Sequence, residues 1–307
     1  MTIFFNACRF YKLNREMDVD FEKLEEQLSE FAFSHCTGTT MQKTGWVSYV
    51  PKACGLADLR EGNLIYLRAA TEKRLLPAKV VNREVRRLVE EKEAELSRRL
   101  KKTERDEIKE DVLAELVPRA FTDITYVDFF FDIENGLLGF NCASAAKCES
   151  TIALLRKTMG SLPCVPFMIE DCDVSPNVFM TKLALGEVSV PGWLVMGDAK
   201  VQSYLGDEAA QIVLKKEDMS SDTILALLGE NGRAVTSLGV NIEDRIVCSI
   251  DEEFTFKSVK FCDDLKSQNE DIPKEDLYGL YKADMLLNHY ELTSALNTYL
   301  EALKDAQ

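Results

Sequence analysis

The chain has 307 residues, 46% hydrophobic and 29% charged, and its 37 Lys+Arg against 52 Asp+Glu give a net charge of −15. That composition excludes intrinsic disorder, and a chain of this length is expected to fold as about two domains around a sizeable buried core. As a bulk figure, the acidic excess also argues against a polyanionic partner.

The stretch from Met1 to Phe10 has no basic run and meets a charge at Arg9 before an apolar signal core can develop, so it reads as a strand, with alternation from Ile3 to Leu13. Asp18 or Asp20 then caps a helix that carries Phe21, Leu24, Leu28 and Phe31 at helical spacing. Strands are expected over Gly45 to Val50 and over Asn63 to Ala69. From Lys79 to Val117 the composition shifts to long charged residues with no Gly or Pro. Val81, Val85, Leu88, Leu96 and Leu100 mark one modest apolar seam of a long helix. Thr103 followed by Glu104, Arg105 and Asp106 resembles a fresh N-cap, so a second helix is expected through Ile108, Val112, Leu113 and Leu116 to Pro118. A seam that thin cannot hold a self-contained core, so this pair is expected to project from the body or to pack against another chain.

Ile124 to Asp132 and Leu137 to Cys142 read as strands joined through Asn135-Gly136, a strong hairpin signal. A helix is expected over Ala146 to Met159, stopped by Gly160 and Pro163. Between 164 and 200 the pattern is mixed, with acidic Glu170, Asp171 and Asp173 and a turn at Pro191-Gly192. Short strands follow at Val201 to Leu205, Ala209 to Leu214, Val235 to Val240, Arg245 to Ile250 and Phe254 to Phe261, around a helix at Ser221 to Leu228. From Pro273 onward the spacing of Leu277, Leu280, Tyr281, Leu286, Leu287, Tyr290, Leu292, Leu296, Leu300 and Leu303 is helical. The expected class is α+β with mixed sheets, divided as an N-terminal part of the body over 1–72, the projecting basic helical segment over 73–121, a strand hairpin and helix over 122–200, and a C-terminal α+β region over 201–307.

No apolar run approaches the roughly 18 residues of a membrane span. Nine cysteines, odd in number and without a C-x-x-C pair, read as reduced core thiols of a cytoplasmic protein rather than as disulfides or a metal site. Catalytic signals are sparse. His35 and His289 are the only histidines and read as structural or surface residues. There is no glycine-rich phosphate loop and no zinc-helix motif, and no cofactor is expected. Ser144-Ala-Ala-Lys147 has the spacing of a serine acyl-enzyme but lacks the companion motifs, so Ser144 reads as a helix cap. The acidic groups Asp251-Glu252-Glu253, Asp263-Asp264 and Glu270-Asp271 lack calcium-loop spacing and read as solvated turns, and a metal-dependent nuclease built on them is a minor reading.

The charge is unevenly placed. Between Lys73 and Lys109 lie thirteen basic and eight acidic residues, a net +5 that leaves −20 on the remainder. Such a segment can meet phosphates locally, with contacts mainly to backbone and little sequence preference. The competing reading is a solvated helix held by i,i+4 pairs such as Glu95 with Arg99.

Several words in the chain carry a resemblance: Phe33-Ser-His-Cys36, Met41-Gln-Lys-Thr-Gly-Trp-Val47, Arg74-Leu-Leu-Pro77, Leu100-Lys-Lys-Thr-Glu-Arg105, Leu116-Val-Pro-Arg-Ala-Phe121, Cys142-Ala-Ser-Ala145, Ala153-Leu-Leu-Arg-Lys157, Gly160-Ser-Leu-Pro163 and Lys260-Phe-Cys-Asp-Asp-Leu265. In order and spacing they resemble the recombination-associated RdgC family of bacteria, most loosely between about 165 and 215. The resemblance implies a ring-shaped homodimer that encircles double-stranded DNA without sequence preference, associates with the nucleoid and limits the access of RecA recombinase, supporting replication fork repair. It maps DNA contacts onto Lys73, Arg74, Lys79, Arg83, Arg86, Arg87, Arg98, Arg99, Lys101, Lys102, Arg105 and Arg119, with a second basic region at Lys215, Lys216 and Arg233, and it puts Phe121 at the dimer contact. Glu217 and Asp218 directly follow the lysine pair, a departure from the family pattern. The alternative is a protein-interaction scaffold whose helices dock a partner protein without touching DNA.

Overall fold

Phe129, Phe130 and Phe131 reveal how the central sheet is built. All three are fully buried, yet Phe130 packs with Phe5, Phe10 and Tyr66 while Phe129 and Phe131 pack with Trp46, Leu138 and Phe140. A strand covered on both faces carries an unbroken apolar run, because successive side chains point to opposite sides.

The computed structural model describes residues 3–50, 55–169, 174–203, 210–229 and 232–306. Cys54, Cys172, Glu170, Asp171 and Asp173, and parts of the strands expected at Val201 to Leu205 and Ala209 to Leu214, lie outside the described residues. The first half of the chain runs β1 (Arg9–Leu13), α1 (Phe21–Glu30), β2 (Gln42–Val47), β3 (Arg60–Glu61), β4 (Leu64–Arg74), α2 (Ala78–Leu96), α3 (Lys102–Leu116), β5 (Thr122–Asp132), β6 (Leu137–Phe140), α4 (Ala145–Met159) and β7 (Cys164–Pro166). The second half runs α5 (Pro176–Ala184), β8 (Trp193–Ser203), β9 (Gln211–Leu214), α6 (Asp222–Leu228), β10 (Arg233–Ile242), β11 (Ile246–Asp251), β12 (Phe256–Phe261), α7 (Asp263–Ser267) and α8 (Leu277–Asp305).

Among the described residues the strands form two antiparallel sheets. The first has the order β2-β4-β5-β6-β1-β7, with β3 paired to β4, and the second has the order β12-β11-β10-β8-β9. The α+β class is as expected, but the sheets are antiparallel throughout rather than mixed. One face of the first sheet is covered by α1 and α4, and Trp46 Nε1 donates to Thr158 Oγ1 at 2.8 Å to tie β2 to α4. The other face shares a continuous core with the second sheet, α5, α6 and α8. Fully buried Asn288 of α8 joins these layers: its Oδ1 accepts from Phe5 N at 3.0 Å, and its Nδ2 donates to Tyr66 Oη at 2.7 Å.

That junction explains why the first strand is shorter than the alternation from Ile3 predicts. Ile3, Phe4 and Phe5 are buried, but the N–H of Phe5 goes to Asn288 and those of Asn6 and Ala7 go to Asn141 Oδ1, so pairing within β1 begins only at Arg9. Cys8 instead exchanges two 2.8 Å backbone hydrogen bonds with Phe256, bridging the sheets. Phe254 likewise lies outside β12, in a left-handed turn (φ 54°). Asp20, not Asp18, caps α1, accepting from Glu22 N and Lys23 N. Asn135-Gly136 forms the expected turn between β5 and β6, with Gly136 left-handed (φ 61°), a conformation open to glycine at no steric cost. Helix α5 falls in the stretch that looked mixed; its signals are Ser175 with Pro176 in the first turn, then Phe179, Met180 and Leu183 buried.

Candidate nucleic-acid interface

Strands β4 and β5 run paired from Leu64↔Asp132 to Arg74↔Thr122, and the chain between them forms α2 and α3. Val81, Leu100, Ile108 and Val112 are buried in a cluster separate from the two larger cores, flanked by Val85, Leu88, Val89, Leu113 and Leu116. Val81, Val85, Leu88 and Leu100 therefore do belong to the seam, whereas Leu96 does not, and the geometry differs. Helix α2 ends at Leu96, where Ser97 turns left-handed (φ 51°), so Leu96 is exposed and Leu100 packs from the connection rather than from a helix. Lys101, not Thr103, occupies the N-cap position of α3, and Glu104 Oε2 accepts from Lys101 N at 2.7 Å, half of a capping box. With helix ended at Leu96, Glu95 and Arg99 are not an intrahelical pair.

The cations of this segment divide into two groups. Arg87 is paired with Glu84 and Glu91, Arg98 with Glu104, Arg105 with Glu93, and Arg119 with Glu115. Arg98 holds the Glu104 carboxyl down to about 2, with the Lys101 N–H adding to the effect. Lys79, Arg83, Arg86, Lys92, Arg99, Lys101, Lys102 and Lys109 are exposed, and none has an ion pair among the described residues. At spacings of four and three, Lys79, Arg83 and Arg86 share one face of α2, directly opposite the face that carries Val81, Val85 and Leu88. Glu90 continues that stripe.

Arg74 belongs to neither group. It is buried, and its guanidinium donates to the carbonyls of Thr40, Pro118, Ala120, Cys36 and Gly38 at 3.1–3.5 Å. This corrects its expected place among the surface contacts: five carbonyl partners from two connecting segments make it a fastener at the root of the helices. Beside it, buried Glu72 accepts from Cys36 N and faces His35 Nδ1 at 3.3 Å, and the Cys36 N–H is the main cause that holds the Glu72 carboxyl down to about 2. The Phe33-Ser-His-Cys36 word is thus a loop clamped to β4.

Arg74 also positions Phe121. The Leu75 N–H donates to Phe121 O at 2.7 Å, and Phe121 is 85% exposed beside half-exposed Leu75. A cleft of about 400 Å³ lies over the same strands, lined by Lys73, Leu75, Asp123 and, from α4, Lys147 and Ser150. Lys147 was weighed in the sequence only as part of a nucleophile motif, yet it sets a cation on this cleft. Ser144 does occupy the N-cap position of α4, but its side chain makes no capping bond.

Lys215, Lys216 and Arg233 lie on the second sheet. Lys215 and Lys216 are exposed after β9, Lys216 is left-handed (φ 54°), and its N–H meets Asp198 Oδ1 at 3.3 Å. Arg233 pairs with Ser203 at the C-terminal end of β8, about 17 Å along the strand from mid-strand Asp198 by strand rise. The fold therefore does not gather these three into one cluster. The Asp251-Glu252-Glu253 group serves packing: Asp251 Oδ1 accepts from Glu253 N and Thr255 N, Asp251 Oδ2 pairs with Lys257 at 2.6 Å, Glu252 takes Asn177, and Glu253 takes Arg9 at 2.5 Å. No group of three or more potential metal ligands occurs among the described residues, and no helix is long and apolar enough to cross a membrane.

These features define an α+β protein of two antiparallel sheets with a cation-bearing helical segment inserted between adjacent strands of one sheet. The family model described as "Putative exonuclease, RdgC" matches residues 3–306. The recombination-associated proteins RdgC of Yersinia pestis (strain Pestoides F) and of Enterobacter sp. (strain 638) are each 35% identical over 301 residues, covering 98% of this chain and 98% of the relative. The chain belongs to the RdgC family.

Proposed function

We propose that the protein binds double-stranded DNA without sequence preference, encircling it as a ring-shaped homodimer, and that this occupancy limits RecA-promoted recombination and supports replication fork repair. The observation that carries the reading is the set of exposed cations without ion pairs, among them the six expected from the sequence, Lys79, Arg83, Arg86, Arg99, Lys101 and Lys102, on a helical segment whose small core is separate from that of the body. Side chains without carboxylate partners can exchange solvent for phosphate at no loss of an internal ion pair, and contacts to phosphate carry no base preference. Phe121 and Leu75 support the dimer: an exposed aromatic beside an exposed leucine, held by the Arg74 anchor, suits a contact that fills a partner's pocket. The helices project in this reading, and the −20 carried by the rest of the chain keeps DNA to the inner surface.

The test is duplex affinity measured across salt for the wild type and for a variant with those six cations changed to Glu. The wild type loses affinity steeply, and the variant's log–log slope is shallower by about five, at roughly 0.9 per phosphate contact. Equal slopes for the two proteins would remove these helices from the DNA surface. The family description names an exonuclease; incubation of end-labelled duplex with Mg²⁺ or Mn²⁺ distinguishes that reading, since a binding protein leaves the strands intact.

A further inference from the structure

Cys142 and Cys148 differ from every other described thiol. Cys142 is half-buried just after β6, two residues before the N-cap position of α4, and Cys148 is fully buried at the end of that helix's first turn. Cys148 Sγ donates to the Cys142 carbonyl oxygen at 3.5 Å, Cys142 Sγ lies 3.8 Å from the Ser144 carbonyl oxygen, and the two thiols shift each other's titration. The positive end of α4, with Lys147 and Arg9 nearby, favours negative charge on the sulfur that faces it. The interaction with the Cys148 side chain, above all, holds the Cys142 thiol down to about 6, against an ordinary 9.0. The same interaction, together with burial, pushes the Cys148 thiol up. One sulfur is thus ionised and accessible, and its neighbour is protonated and enclosed. Cys36 is equally half-buried, but desolvation and the Glu72 carboxylate push its thiol up. Burial does the same to Cys8, Cys164 and Cys248.

We propose that Cys142 and Cys148 form a peroxide-oxidisable dithiol, with Cys142 as the attacking sulfur and Cys148 as the resolving one. The Cys142 thiolate attacks one oxygen of hydrogen peroxide, the O–O bond breaks, and the departing hydroxide takes up a proton as water, leaving a sulfenic acid. The Cys148 sulfur then attacks the sulfenic sulfur. The S–O bond breaks, and the hydroxyl leaves with the Cys148 proton as a second water. Two thiols are oxidised by two electrons, and one peroxide is reduced to two waters. The resulting disulfide fixes the turn from β6 into α4, the helix that lines the cleft beside Lys73 and Leu75.

The test treats the full-length reduced protein with hydrogen peroxide, alkylates the remaining thiols with iodoacetamide and maps the peptides by mass spectrometry. The expected product is a Cys142–Cys148 disulfide. Cys148→Ser stops at a sulfenic acid on Cys142 that dimedone captures, and Cys142→Ser leaves Cys148 alkylatable. Without any substitution, iodoacetamide at pH 7 modifies Cys142 about tenfold faster than Cys36, the gain in thiolate being partly offset by the weaker nucleophilicity of a low-pKa sulfur. Alkylation of Cys142 no faster than Cys36, or oxidation that leaves both residues reduced, would overturn the proposal.

Discussion

The helical segment α2–α3 and the two-sheet body handle charge in opposite ways. In the body, cations are absorbed into packing: Arg68 pairs with Asp128 at 2.5 Å and stacks over Tyr49, Arg245 pairs with Glu291 of α8, and Arg9 reaches Glu253. In the helical segment four buried side chains suffice for a core, and eight cations stay exposed without an ion pair among the described residues. The comparison teaches that net charge along the sequence is a poor guide to a surface. What matters is which cations have been claimed by neighbouring carboxylates, and Arg87, Arg98, Arg105 and Arg119 have been.

The comparison can be broken at its strongest point first. Phe130 is fully buried and meets the rings of Phe5, Phe10, Tyr66 and His289 across the layers. Phe130→Ala is expected to destabilise the body by about 3–5 kcal/mol, read as a lower urea midpoint for the cooperative unfolding of both sheets. A small shift would mean that the layers do not share one core. Ile108→Ala in the helical segment is expected to act locally, at about 2–3 kcal/mol. Hydrogen exchange should accelerate in α2 and α3 while amides of the central strands keep their protection; uniform acceleration would show that the segment and the body unfold together.

The smallest effect is one of pH. Glu104 titrates at about 2 when folded, below its ordinary 4.5, so between those values the unfolded chain binds more protons. The contribution of Glu104 is therefore complete above about pH 4.5 and is lost as pH falls towards 2. Glu104→Gln is expected to lower the stability of α3 near neutrality, where the carboxylate's contribution is complete, and to flatten its fall towards pH 2, followed by circular dichroism. An acid limb identical to wild type would mean that the Arg98 and Lys101 contacts do not stabilise the cap.

Much of this was legible beforehand, for identifiable reasons. Most members of the α2–α3 seam, the Asn135-Gly136 turn, and strands β10, β11 and β12 follow from local periodicity and turn chemistry, which depend on near neighbours alone, whereas most of β8 was hidden in the stretch that looked mixed. Apart from the local end of α2 at Ser97 and the start of α3 at Lys101, the departures arise from contacts distant in sequence. Ile3 to Phe5 alternate like a strand, but Asn288 takes the Phe5 N–H. Arg74 sits in a basic run, but carbonyls from residues 36–40 and 118–120 enclose it. Lys215 and Arg233 look like one basic region because strands bring sequence-distant residues near, yet the register sets Lys215 beside the middle of β8 and Arg233 at its C-terminal end. The Cys142–Cys148 contact was equally hidden, since a spacing of six does not predict which sulfur faces the helix end.

The central claim is encirclement, and its most direct test is retention on topologically closed DNA. Protein is loaded at low salt on linear and on covalently closed circular duplex of the same sequence, then challenged with salt that abolishes phosphate contacts. The account predicts that the circle retains the wild-type protein and the linear duplex releases it, and that Phe121→Ala, by opening the dimer contact, releases both. Equal release of wild-type protein from circle and linear DNA would contradict it.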